Sequence, residues 1–174
     1  MPAPLAPPAV VVPPLAGLPG RARREAPRLR KAAARLARAD SRALDAAAQA
    51  AHSEAFSQLD CLACGNCCRS ASPRLTPADQ DRLARALRLR PADFAARYVR
   101  RDGEGDAVFQ RTPCPFLGPD NACAVYDHRP TACRDYPHTD RARFGQLLPL
   151  TLKNAEICPA AFAVLDALAR ALPH

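Results

Sequence analysis

Cys61-Leu62-Ala63-Cys64-Gly65-Asn66-Cys67-Cys68 places four thiols within eight residues, and the reading of this stretch decides how the rest of the chain is understood. Two cysteines separated by two residues can turn both sulfurs toward one cation, and the N–H groups between them favour the thiolate form. Gly65 suits the tight turn because it reaches positive φ without steric cost. Cys67 continues the same loop around the same centre, so one loop supplies three ligands. Cys68 is harder to place. Adjacent residues project in different directions, so it is expected to face a second centre, to bridge, or to pack as a buried thiol. Cysteines this tightly clustered point to a metal rather than to ordinary buried thiols or disulfides.

The length of 174 residues suits one domain plus an extension. Hydrophobic residues make up 48%, but many are Ala; aromatics supply 5%, with no Trp. Such a chain buries little area per residue, and a small core would gain from metal cross-linking. The net charge of +8 is carried almost wholly by Arg, with Lys only at Lys31 and Lys153. Nine basic and four acidic side chains lie in residues 1–59, so the excess is concentrated there. A basic excess can meet nucleic acid or an acidic partner. Without an aromatic or Gly-rich readout element beside it, the expected reading is a solvated helix face that could still meet a protein partner; nucleic acid and membrane are not expected as partners. No charged segment followed by an apolar one opens the chain, and no apolar run approaches membrane-spanning length. A cytoplasmic protein is expected, and its eight Cys in a reducing compartment argue for metal or redox chemistry.

Residues 1–20 hold seven Pro and are expected to form a disordered tail. Residues 21–59 form an Arg/Ala-rich helical extension. Leu29, Leu36, Leu44, Ala51, Ala55, Phe56 and Leu59 recur there at helical spacings, predicting one long helix or a helix broken near Asp40-Ser41. Residues 60–174 are expected to be the cysteine-cluster, metal-binding domain. Within it, Thr76-Pro77-Ala78-Asp79 reads as a helix start, and Pro91-Ala92-Asp93-Phe94 as a second, with Phe94 and Tyr98 on one face. A polar turn over residues 102–106 precedes a short strand at 107–110. Cys114 and Cys123 flank Gly118-Pro119-Asp120-Asn121, where a small hairpin would bring them together. Cys133 sits on a short turn between prolines. Cys158-Pro159 opens a last amphipathic helix through Phe162, Leu165, Leu168 and Leu172. The fold class is therefore mainly α with a short irregular β hairpin: a small metal-cross-linked domain preceded by a long Arg/Ala-rich helix.

Several segments together resemble the CxxCxxCC cysteine-cluster proteins, also called YkgJ-type. They are Cys61-x2-Cys64-Gly65-x-Cys67-Cys68, Leu75-Thr76-x2-Asp79, Pro113-Cys114-Pro115-Phe116-Leu117, Cys123-x2-Tyr126, and Arg129-Pro130-x2-Cys133-Arg134-x-Tyr136-Pro137. The likeness covers about residues 58–160 and implies chelation of zinc or iron by cysteines, without a settled reaction. It carries the role of metal or cluster ligand onto Cys61, Cys64, Cys67, Cys68, Cys114, Cys123 and Cys133, with Cys158 as a late candidate. Arg129, Arg134, Tyr126 and Tyr136 fall beside the ligands. The guanidinium groups would offset thiolate charge, or pair with Asp127 and Asp135, while the tyrosines would fill the core.

Zinc takes four thiolates, and eight Cys could fill two such sites. The run Cys61-x2-Cys64-x2-Cys67 with a remote Cys-Pro, at Cys114-Pro115 or Cys158-Pro159, is closer to an iron–sulfur pattern. An iron–sulfur cluster is therefore the first expectation for the cofactor and zinc the second. Three functions stay open: a metal-binding module, an iron–sulfur oxidoreductase or electron carrier, and a metal-stabilised nucleic-acid or protein adaptor. No Gly-rich nucleotide fingerprint or P-loop appears, so whether the chain is an enzyme stays open.

Overall fold

The computed structural model describes residues 9–171 and is mainly helical with one two-stranded antiparallel hairpin. Its contacts divide the chain into two units. A bundle unit combines residues 9–60 with 137–171, and a cysteine unit spans Cys61–Tyr136. The segment 60–174, expected as one domain, thus contributes to both. The physical reason is the last helix, whose apolar surface is far larger than an amphipathic stripe.

In the bundle unit the long helix expected over residues 21–59 is two, α1 (Leu18–Leu36) and α2 (Ser41–Ser57), divided at the alternative break near Asp40-Ser41, with Asp40 accepting a hydrogen bond from Ala43 N (2.9 Å) as N-cap. Pro19 sits in the first turn of α1, where its missing N–H costs nothing. The tail expected to be disordered over 1–20 departs from that reading. Residues 1–8 lie outside the described residues, but beyond them Val10 is buried and α1 has begun by Leu18. The Gln58 side chain donates to Val10 O (3.2 Å) and accepts from Val12 N (3.4 Å). One amide side chain thereby satisfies a backbone that the prolines keep out of helix.

Two further helices complete this unit, α8 (Phe144–Asn154) and α9 (Pro159–Ala171). Asp45 of α2 accepts from the Arg143 and Phe144 amides, both at 2.8 Å, and so closes the start of α8. Nearly every residue of α9 from Pro159 to Leu168 is buried, which marks it as the core helix. Its Ala160, Ala161, Ala163 and Ala167 let α1, α2 and α8 approach closely. Leu172 lies outside the described residues.

In the cysteine unit, α3 (Cys61–Cys64) and α4 (Asn66–Ser70) are single turns. Next come α5 (Pro77–Ala86) and α6 (Pro91–Tyr98), then β1 (Val99–Arg101) paired with β2 (Ala107–Phe109). A one-turn α7 (Thr131–Asp135) carries Cys133. The hairpin thus forms one segment earlier than the expected one around Gly118, where the chain makes a tight turn with a single bridge, Leu117 to Cys123. A run of rings, Phe94–Tyr98–Phe116–Phe109, with centroids 5.0 to 5.4 Å apart, joins Leu75, Leu83 and Val125 as the core. Cys114 and Cys123 pack against that core. Among the described residues no helix is long and apolar enough to cross a membrane.

Candidate metal centre

The first cysteine loop takes its shape from Gly65, whose φ of 54° lies in the left-handed region. An added Cβ there would also meet Arg69 Nη1 and Asn121 Cβ at 3.2 Å. Arg69 Nη1 donates to Cys64 O (2.7 Å), and Arg69 Nη2 donates to Asn121 Oδ1. Asn121 Nδ2 in turn donates to Ala63 O (3.1 Å). Cys114 N donates to Cys68 O (2.8 Å). These bonds stitch the loop at residues 61–68 to the segment at 114–123. That segment closes through Gly118 N to Ala122 O (2.7 Å) and Ala124 N to Phe116 O (2.9 Å).

Within this frame Cys68, the thiol hardest to place from the sequence, is the hub. Burial raises the Cys114 thiol to about 11, with repulsion from Cys68 and Cys123 adding to it. Burial likewise raises Cys133, to about 12, with Cys114, Cys68 and Cys123 contributing, and raises Cys123, with Cys68 contributing. These four sulfurs therefore lie within electrostatic reach of one another, although three chain segments supply them. Cys68 moves the other way, to about 6. A hydrogen bond from the Cys67 thiol is the main cause; burial opposes it, and the Arg129 and Arg69 guanidinium groups assist.

The Cys67 and Cys68 sulfurs are 4.0 Å apart. A tetrahedral metal with bonds of ~2.3 Å holds its sulfurs ~3.8 Å apart, so adjacency in sequence does not bar these two from one metal atom. Cys61 is exposed and Cys64 half-buried. Among the described residues no three Cys, His, Asp or Glu side chains converge closely enough to hold an ion as they stand; the sulfurs form an open set. The donor set nevertheless fits zinc or iron in its chemistry, because soft thiolates with compensating guanidinium charge are their usual surroundings.

The segment bearing Cys133 is held by a carboxylate whose sequence signal is that of a helix start within one of the segments that carry the resemblance. Asp79, 1% exposed, accepts from Thr76 N (3.0 Å) and Thr76 Oγ1 (2.8 Å), closing the capping box of α5. It also accepts from Arg82 Nη2, Thr131 N (3.0 Å) and Thr131 Oγ1 (3.1 Å). Burial alone would raise its pKa. The hydrogen bonds from Thr76, Thr131 and Arg82 more than offset this and hold the carboxyl well below the usual range. Arg82 reaches on to Arg129 O (2.9 Å), while the Arg129 guanidinium lies 3.6 Å from the Tyr126 ring centre. Asp79, Arg82, Thr131, Asn121 and Arg69 all went unassigned from sequence; only the Thr76-x2-Asp79 spacing signalled any of them.

Cys158 belongs to the bundle unit and is buried. It precedes Pro159 at the start of α9, where its sulfur accepts from Ala161 N at 3.4 Å and its carbonyl from Phe162 N at 3.0 Å. That is the position of an N-cap. Cys158→Ala is expected to leave metal stoichiometry unchanged and to cost about 1 kcal/mol of stability, with Cys158→Ser recovering most of it. Metal analysis beside urea unfolding checks both, and loss of the ion in Cys158→Ala would show that this residue is a ligand.

Fold and site together define a mainly helical protein one unit of which carries a cysteine-cluster chelation site. Residues 60–159 match the CxxCxxCC family, described as "Putative zinc- or iron-chelating domain", and the chain belongs to that family. The match takes in the whole cysteine unit and makes metal binding the general property of this chain. No curated protein and no solved structure matches the chain.

Proposed function

We propose that the cysteine unit is a metal-binding module holding one thiolate-ligated ion, zinc in the first place. Its four ligands are drawn from Cys67, Cys68, Cys114, Cys123 and Cys133, and Cys68 is always among them. The observation that carries this reading is the mutual electrostatic influence of Cys68, Cys114, Cys123 and Cys133, with the 4.0 Å Cys67–Cys68 spacing supporting a single metal atom. When bound, zinc in four thiolates supplies folding free energy and keeps no open coordination position. Around it, Arg129 and Arg69 offset the thiolate charge. An iron–sulfur electron carrier is the second reading, because the seven thiols of this unit exceed what one tetrahedral ion needs.

Anaerobically purified protein is expected to be colourless, with one zinc per chain and no labile sulfide. Brown colour with stoichiometric sulfide would overturn zinc in favour of the carrier. Proton release gives a second check. In the metal-free unit Cys68, at about 6, is a thiolate at neutral pH, whereas Cys114, Cys123 and Cys133 keep their protons. Ligation through these four therefore releases about three protons, and affinity rises steeply from about pH 6 to about pH 9. Calorimetry in buffers of different ionisation enthalpy counts the protons. A pH-independent affinity would contradict the ligand set.

A further inference from the structure

The Arg-rich helix α1 lies outside residues 60–159 and belongs to the bundle unit. Leu18, Ala22, Leu29, Ala32, Ala33 and Leu36 form its buried stripe. With 3.6 residues per turn, Arg23, Arg24, Arg30 and Lys31, with Arg38 in the turn just past the helix, fall on the third of the circumference opposite that stripe. All five are exposed. No carboxylate shares this face: the only acid of α1, Glu25, falls on the side of the buried stripe and is paired with Arg28 at 2.7 Å. Among the described residues none of the five cations has an acidic partner. A face of one sign is unusual for a helix that is merely solvated, where acids and bases alternate and support one another.

We propose that this face binds the phosphate backbone of a nucleic-acid duplex. Its cations recur every seven residues, about 10.5 Å along the axis, in a stripe about 22 Å long. Four of the five are Arg, whose forked donors match phosphate oxygens. A membrane surface is disfavoured because the apolar stripe of α1 is already buried in the bundle, and Pro27 and Ala34 alone lie between the cations, leaving nothing to insert. A protein partner is disfavoured because the face lacks the aromatic or aliphatic anchor that carries most interface energy. No Asn, Gln or aromatic residue lies among the cations, so the contact reads charge and not base identity.

The test is fluorescence anisotropy of the metal-loaded full chain with labelled duplexes of unrelated sequence, between about 50 and 200 mM salt. The expected result is binding that does not depend on sequence, with log K falling against log salt at a slope of about −4.5 for five phosphate contacts. The double variant Arg24→Glu/Lys31→Glu should bind at least ~10-fold more weakly, with a slope shallower by about two. Arg23→Gln/Arg30→Gln gives a milder loss in the same direction, and circular dichroism verifies that both variants stay folded. Absence of binding at about 50 mM salt, or a slope that neither variant changes, overturns the proposal. Tighter binding to poly-glutamate or to anionic vesicles than to the duplex overturns it as well.

Discussion

Chelating the ion out of the intact chain is expected to open residues 110–136 to trypsin at Arg111 and Arg134, while cleavage within α5 and α6 stays slow. Residues 110–136 contain little regular structure beyond α7, a 3-10 turn at Tyr126–His128 and a single bridge, and burial disfavours the thiolates of Cys114, Cys123 and Cys133. A bound ion reverses that preference, contributing about 10 kcal/mol or more of apparent binding free energy for zinc in small domains. This compares with about 5–15 kcal/mol of total net stability in ordinary domains. Loss of the ion should not melt the whole unit. Phe94, Tyr98, Phe109 and Leu83 belong to α5, α6 and the hairpin, and this part of the core should persist without metal. Re-adding zinc should restore protection. Identical digestion patterns with and without chelator would show that the ion is an accessory to a self-sufficient fold.

The second large effect is expected at Asp79. Asp79→Ala removes one buried acceptor that serves Thr76, Arg82 and Thr131 together. Breaking a buried charged pair while leaving its partners in place costs about 3–5 kcal/mol, and urea unfolding of the chain should show that loss in the midpoint. Because Thr131 begins the turn bearing Cys133, release of the ion to a chromophoric chelator should also accelerate, by about 10- to 100-fold if the outer partners behave as they do elsewhere. Asp79→Asn, which keeps the shape, adds a signature in pH. A depressed carboxyl contributes stability that is fully present above its unfolded pKa of about 4 and is lost as pH falls below it. Wild type should therefore weaken on its acid side more steeply than Asp79→Asn. Parallel acid profiles, or unchanged metal release, would remove Asp79 from this role.

Much of the fold was legible because its signals are local. The break at Asp40, the capped start at Thr76 and the shared face of Phe94 and Tyr98 follow from capping and periodicity. Non-local partners decided what was missed. Helix α8 contains Pro149 and no start signal of its own, since its first amides are closed by Asp45, far away in sequence. Residues 9–17 looked unable to hold structure, yet Gln58 supplies the hydrogen bonds they lack. Within the candidate site, the seven cysteines of the cysteine unit could be read directly, but the weight given to them could not. Consecutive residues of a helical turn diverge by about 100°, which argued for separating Cys67 from Cys68. In α4 the two sulfurs nevertheless finish 4.0 Å apart. The prominence of Cys68 depends on Cys67, Arg129 and Arg69; the motif reveals Cys67, the resemblance sets Arg129 beside the ligands, and only Arg69 has no signal in the sequence.

The bundle unit takes residues from both sides of the cysteine unit, 9–60 and 137–171, and this sets an order of events on the ribosome. Domains generally fold as units as the chain emerges. All the residues of the cysteine unit have been synthesised once Tyr136 is in place, whereas the bundle must wait for α9, its most buried helix. Until then, the buried stripes of α1 and α2 have no core to cover them. The nascent chain can thus acquire its metal before its other half has a core, and metal shortage during translation would act on the cysteine unit first.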